Sequence, residues 1–273
     1  MQKHIRQVIK AIKQFDLIQE GDIVTVGVSG GKDSMLTVTL LHEISKFYNR
    51  GERKEIKTDD GVRVEYEKPP YFRVVGVSLD CTGGEAEKSG AYQPTKDYFK
   101  KHGMELHIVP VDVIKIVFDD RKEKNPCSLC ANLRRGRLNA YANEIGSKKV
   151  ALGHHADDLM ETFFLNMLYG GRLAGFEPKT YFSRADITQI RPMIYLKESE
   201  IIALGKKLGI PILDNCCTVN GKTQRQFMKY EIERFERILP GAKTRIFRSV
   251  MSLYLDNEKG TAEDSSCNPP LIN

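Results

Sequence analysis

Three stretches of this chain combine residue types at spacings that could do chemistry. The first is Gly27-Val28-Ser29-Gly30-Gly31-Lys32-Asp33-Ser34. Glycines let backbone N–H groups approach a phosphate closely, and a helix that follows presents its positive end, so this stretch predicts an anion nest. Ser29 and Ser34 add hydroxyls and Lys32 adds a fixed positive charge. Asp33 is unusual in a pure phosphate site; it fits there as a Mg²⁺ ligand or as a residue that shapes the loop. The stretch is not a Walker A loop. Too few residues separate Gly27 from the Gly31-Lys32 pair, and Asp33 stands where Ser or Thr belongs. The bland alternative is a glycine-rich tight turn.

The second stretch is Pro126-Cys127-Ser128-Leu129-Cys130. On the first turn of a helix, cysteines at i and i+3 point the same way and lie near the positive end of the dipole, which favours thiolates. Asn125 is a plausible cap. Cys216 or Cys217 offers a third thiolate from far along the chain. Zinc would need the Cys216-Cys217 pair or a histidine to complete its set. A redox Cys-x-x-Cys would need a thioredoxin-like context. An iron–sulfur cluster on three cysteines would leave one iron open. Ordinary buried cysteine is the remaining reading, and the one assigned to Cys81 and Cys267.

The third stretch is Gly153-His154-His155-Ala156-Asp157-Asp158. Two carboxylates at a strand end suit Mg²⁺ binding or proton handling. Either Asp could instead cap the helix that follows, and His154 and His155 could be packing residues. Spacing does not separate Asp157 from Asp158.

The elements that must position these residues alternate. Strands are expected at 22–28, 72–79, 105–111 and 149–152, and helices at 33–47, 85–102, 127–145 and 156–169. That alternation predicts an α/β fold, a mostly parallel sheet with helices on both faces. The glycine-rich loop and the His-His-Ala-Asp-Asp stretch then meet at the carboxyl ends of the strands. Residues 48–70 are polar and charged and read as an exposed excursion, with a hairpin as one form. Residues 1–256 read as a single domain and 257–273 as a disordered tail.

Bulk composition narrows the class. The 273 residues are 41% hydrophobic and 29% charged, an ordinary globular balance. No apolar run reaches the roughly 18 residues of a membrane span. The N-terminus reads as an amphipathic helix rather than a signal peptide, so a cytoplasmic protein without membrane attachment is expected. With no secretion signal, the six cysteines point to metal or redox chemistry rather than a disulfide framework. The net charge of +6 permits RNA without demanding it. Arg134, Arg135 and Arg137, and Lys243, Arg245 and Arg248, are clusters that could contact RNA phosphates or simply be solvated faces.

The string Ser-Gly-Gly-Lys-Asp-Ser resembles the PP-loop signature of ATP pyrophosphatases. Together with Pro-Cys-Ser-Leu-Cys, Gly-His-His-Ala-Asp-Asp and Cys-x₃-Gly-Lys-Thr-Gln-Arg-Gln, it resembles the tRNA 2-thiocytidine synthetases and their thiouridine relatives over residues 20–235. That resemblance implies a PP-loop fold of the adenine-nucleotide α-hydrolase kind. Gly27, Ser29, Gly30, Gly31, Lys32, Asp33 and Ser34, with Gly153 and His154, would then bind ATP, and Lys32, Asp33, Asp157 and Asp158 would be the catalytic candidates. It implies a 4Fe–4S cluster on Cys127, Cys130 and a third cysteine. The family's third cysteine stands eight residues before an Arg, as Cys217 does before Arg225, so Cys216 is the second choice. The implied reaction converts a cytidine of the tRNA anticodon loop to 2-thiocytidine through an adenylated base. Mg²⁺ would assist, sulfide or a cysteine desulfurase would supply sulfur, and the protein would be a homodimer. The thiouridine branch carries Cys-x-x-Cys zinc fingers at both ends; their absence from the first 80 residues, and the lone Cys267 in the tail, favour cytidine. A 2-thiouridine synthetase is the nearest rival. A nucleotide- and metal-binding regulator without turnover and a PP-loop ligase with structural zinc are further ones.

Overall fold

The computed structural model describes residues 1–48, 53–58, 61–66, 71–120, 126–213 and 224–259. Its strands are β1 (Asp22–Gly27), β2 (Arg53–Thr58), β3 (Gly61–Tyr66), β4 (Phe72–Asp80), β5 (Glu105–Pro110), β6 (Lys149–Ala151), β7 (Lys179–Phe182) and β8 (Ile187–Ile190). The α-helices are α1 (Gln2–Gln14), α2 (Lys32–Tyr48), α3 (Glu85–Lys88), α4 (Gln93–His102), α5 (Pro126–Glu144), α6 (Ala156–Gly170), α7 (Glu198–Lys207), α8 (Gln224–Ile238) and α9 (Ala242–Lys259). Among the described residues no helix is long and apolar enough to cross a membrane.

Six strands form one sheet in the order β5-β4-β1-β6-β8-β7. All neighbours are parallel except β7, which pairs antiparallel with β8. The sheet is therefore mostly parallel, as expected, and both its faces are covered. Along β4 the side chains alternate with the pleat. Val75 and Val77 join one core cluster with Leu138 and Ala142 of α5. Gly76 between them faces the other way, where an added Cβ would stand 2.6 Å from the Phe99 ring of α4. β1 is central, and Val24 and Val26 are fully buried. α2 lies against β1, β4 and α7, which explains why its buried residues run nearly all round the helix.

This topology dictates where a ligand can enter. From β1 the chain moves outward to β4 and β5, then returns to lay β6 on the other side of β1. Loops that leave two adjacent strands in opposite directions open a crevice at their carboxyl ends. Here those loops are residues 28–31 and 152–155, the glycine-rich stretch and the Gly-His-His stretch.

The structure differs from the sequence expectations in three places. The single helix expected at 85–102 is two, α3 and α4, because Gly90 takes φ 80° and Pro94 opens a new helix. The β7–β8 hairpin was not expected: each strand is only four residues long, and β7 is an edge strand with no buried residue. Helix α9 runs through Lys259, past the point at which a tail was expected to begin. Residues 260–273 lie outside the described residues. The 48–70 excursion contains a separate antiparallel hairpin, β2 with β3.

The chain gathers into two compact units, Met1–Ala156 with Pro178–Gly221 and Asp157–Glu177 with Lys222–Asn273. The first contains both sheets. In the second, Phe164 of α6 meets Phe235 of α8 with ring centroids 6.0 Å apart, and the Gly175 N–H donates to the Tyr254 hydroxyl of α9 at 2.7 Å.

Candidate nucleotide and cluster site

The phosphate loop is held from within and from two sides. The Val28 N–H donates to the Val77 carbonyl at 2.8 Å, which continues the sheet into the loop. The Ser34 hydroxyl donates to the Gly31 carbonyl at 3.0 Å and accepts from the Ser29 N–H at 3.1 Å. The two serine hydroxyls stand 3.1 Å apart. Both serines thus brace the loop. Gly30 takes φ 79°, and a Cβ there would stand 2.8 Å from Leu213, whose N–H donates to the Gly30 carbonyl at 3.0 Å. Leu213 is the last described residue before the segment carrying Cys216 and Cys217.

Gly153 explains itself in the same way. A Cβ on it would lie 2.9 Å from the Asp33 carbonyl carbon and 3.0 Å from the Ser34 nitrogen, both backbone atoms at the start of α2. Only glycine lets the end of β6 close on the phosphate loop. Gly153→Ala should therefore cost about 1–3 kcal/mol by overpacking. It should also weaken nucleotide binding, because the loop must shift. Thermal denaturation and a nucleotide titration check both; an unshifted midpoint with unchanged affinity would show that the contact yields freely.

The loop's charged groups form a chain. Lys32 Nζ lies 3.0 Å from Asp33 Oδ2 and 3.2 Å from Glu198 Oε1. Burial opposes a charge on Lys32, but Asp33 and Glu198 outweigh it and hold the ammonium above its ordinary lysine value. Asp33 Oδ1 is buried and accepts no hydrogen bond; His155 Nε2 stands 3.7 Å from it. His155 is buried and His154 is half-buried beside it. An orphaned carboxylate oxygen beside a phosphate loop fits a divalent cation, so Asp33 can hold Mg²⁺ here. Glu198 is a site residue that sequence reasoning missed. It opens α7, far along the chain, and an acidic residue in a helix's first turn is ordinary.

In the second unit, Asp157 and Asp158 have different surroundings. Asp157 Oδ1 lies 3.0 Å from Lys243 Nζ, and Lys243 also pairs with Glu233. The Asp157 side chain is 10% exposed. Asp158 Oδ1 pairs with Arg225 at 3.3 Å, and Arg225 also donates to the Thr162 hydroxyl at 3.2 Å. Lys243, which the sequence offers as an RNA contact, is instead committed to two carboxylates. Burial works against its charge, yet Glu233 and Asp157 raise its pKa. Such a group stabilises fully below the lysine value of the unfolded chain and loses that contribution only as pH climbs through the higher folded value. Lys243→Met should cost roughly 2–4 kcal/mol, because two carboxylates lose their shared cation. The loss should appear as a lower thermal midpoint, equal at pH 7 and pH 9; a drop that differed between those pH values would contradict the assignment.

The other basic residues divide similarly. Arg134 and Arg135 are exposed on α5, whereas Arg137 pairs with Glu144 at 2.6 Å and lies over the Tyr141 ring. Arg245 and Arg248 are exposed on α9.

Cys127 and Cys130 both fall in the opening turns of α5, which starts on Pro126 as expected. Cys130 is a half-buried free thiol. The Cys127 side chain, Asn125, Cys216, Cys217 and Cys267 lie outside what is described. Among the described residues no three His, Cys, Asp or Glu side chains are gathered for a metal. A half-buried thiol at a helix start suits a soft iron–sulfur centre, and Cys130 fits that donor set. Cys81, half-buried with its Sγ 3.7 Å from the Leu79 carbonyl, sits as an ordinary loop cysteine.

A parallel sheet whose switch-point loop is Ser-Gly-Gly-Lys-Asp-Ser defines a PP-loop protein, and a PP-loop domain family matches residues 92–234. The chain belongs to the tRNA-cytidine(32) 2-sulfurtransferase family. It is 35% identical over 256 residues to the enzyme of that name from Stutzerimonas stutzeri, across 93% of this chain and 85% of the relative. It is 36% identical over the same shares to the one from Pseudomonas fluorescens. Among solved structures it resembles the U34-tRNA thiolase NcsA from Methanococcus maripaludis, described with its 4Fe–4S cluster. That match has a TM-score of 0.67 and 22% identity, over 97% of this chain and 80% of the other, and supports the fold.

Proposed function

We propose that the protein is an ATP-dependent tRNA sulfurtransferase that converts a cytidine of the anticodon loop to 2-thiocytidine. The observation that carries this is the convergence on one phosphate loop. Gly153 closes on it from β6, and Leu213, which leads into the Cys216-Cys217 segment, is hydrogen-bonded to Gly30. These two contacts support reading the loop as the place of base activation; the Cys216-Cys217 segment follows Leu213 in the chain.

ATP lies along the loop with its phosphates on the N–H groups of residues 29–34 and on Lys32. Asp33, whose Oδ1 accepts no hydrogen bond, would hold Mg²⁺ there, and the ion would offset phosphate charge. The O2 of the cytidine attacks the α-phosphate and pyrophosphate leaves. A sulfur nucleophile then adds at C2, and AMP departs with the former O2. Lys32 neutralises charge developing on the phosphates, which is the larger part of catalysis in such a transfer. Asp157 and Asp158 are both proposed for proton handling; Lys243 holds the first and Arg225 the second. Cys127, Cys130 and Cys217 would hold a 4Fe–4S cluster, which would supply a binding place for sulfur. Sulfide supplies that sulfur directly, or a cysteine desulfurase does so as a persulfide that a thiol reductant cleaves to sulfide; the functional form is a homodimer, and the protein works among tRNAs in the cytoplasm.

The test is pyrophosphate release from ATP by anaerobically purified protein. Release that depends on added tRNA supports this reading. Release without tRNA would indicate a small-molecule ligase, and none under either condition would indicate a nucleotide-binding regulator.

A further inference from the structure

We infer that Glu198 is a positioning residue for Lys32 and sets the loop's preference for metal-complexed over free triphosphate. The inference rests on the reading of the loop as an ATP site. Lys32 carries its ammonium on a flexible stem, so its position depends on the groups that pair with it. Asp33 and Glu198 do so at 3.0 and 3.2 Å, with Lys32 28%, Asp33 32% and Glu198 17% exposed. Asp33 belongs to the loop itself. Glu198 does not: it is fixed by the start of α7, where Glu200 accepts a hydrogen bond from the Lys197 N–H at 3.1 Å. Ile201 and Leu204 bury the inner face of that helix, and α7 packs on α2. Glu198 thus presents a carboxylate to the loop from rigid scaffold.

One cation and two carboxylates leave the trio with a net negative charge. A free triphosphate meets that charge directly and must also compete with Glu198 for Lys32. A metal-complexed triphosphate carries less negative charge and brings a cation to the unbonded Asp33 Oδ1. Glu198 therefore penalises the free nucleotide more than the complexed one. Glutamine at this position keeps the size and hydrogen-bonding reach but makes the trio neutral.

The experiment measures ATP dissociation constants for the full chain by equilibrium titration, once in EDTA and once in saturating Mg²⁺. It compares wild type with Glu198→Gln, Glu198→Asp and Glu200→Gln. In wild type the complexed form should bind much more tightly. In Glu198→Gln the free form should tighten about tenfold while the complexed form changes little, so the ratio collapses. Glu198→Asp should keep most of the wild-type ratio. Glu200→Gln removes a charge from the same helix end but keeps an oxygen to accept the Lys197 N–H, so Glu198 stays in place and the ratio should be unchanged. An unchanged ratio in Glu198→Gln, or an equal collapse in Glu200→Gln, overturns the role of Glu198. If wild type binds neither form, the loop is not an ATP site and both readings fall together.

Discussion

Lys32→Ala should lower the rate of AMP and pyrophosphate formation by roughly two to three orders of magnitude, the usual cost of deleting one preorganised donor to a developing charge. Two effects combine. The phosphates lose a charge-assisted contact, and Asp33 and Glu198 lose the cation they share, so the loop turns more strongly negative toward its substrate. The fold should survive, because the serine bracing and the Gly153 contact do not involve the Lys32 side chain. Adding Glu198→Gln to Lys32→Ala should restore part of the nucleotide affinity and little of the rate. Asp33 and Glu198 hold Lys32 charged past the ordinary lysine range, so an alkaline loss of activity below that range would come from another group. A Lys32→Ala protein that releases pyrophosphate at the wild-type rate would remove this loop from catalysis.

The second large effect concerns iron. Anaerobic reconstitution with iron and sulfide should load about four irons per chain and turn the protein brown. Cys127→Ser, Cys130→Ser and Cys217→Ser should each lose the cluster, and thiolation with it, while pyrophosphate release should persist. Cys216→Ser should keep both. Serine at 130 replaces a half-buried free thiol near the start of α5, so loss of iron there would report on ligation rather than on folding. Loss of the cluster in Cys216→Ser alone would reassign the third ligand, and a colourless protein that binds zinc would return the PP-loop ligase reading.

The sequence made the local chemistry legible and left the long-range chemistry hidden. The phosphate loop could be read because its requirements are consecutive: glycines where backbone approaches a ligand, then Lys32, then a helix. The parallel sheet followed from strand–helix alternation. Glu198 could not be read, because nothing in a helix-opening glutamate says which lysine it will meet across the fold. Asp157 and Asp158 are neighbours in sequence, and only the partners Lys243 and Arg225, distant along the chain, tell them apart. Lys243 itself looked like surface charge because a Lys/Arg cluster does not reveal which member will meet carboxylates distant along the chain. The β7–β8 hairpin escaped for want of length, and the split between α3 and α4 turned on the φ of one residue, Gly90.

Nucleoside mass spectrometry of bulk tRNA from cells with and without the gene tests the central claim most directly. The two populations should differ in 2-thiocytidine, which vanishes when the gene is absent and returns when the wild-type gene, but not Lys32→Ala, is restored. Loss of a 2-thiouridine instead, or an unchanged nucleoside profile, would contradict it.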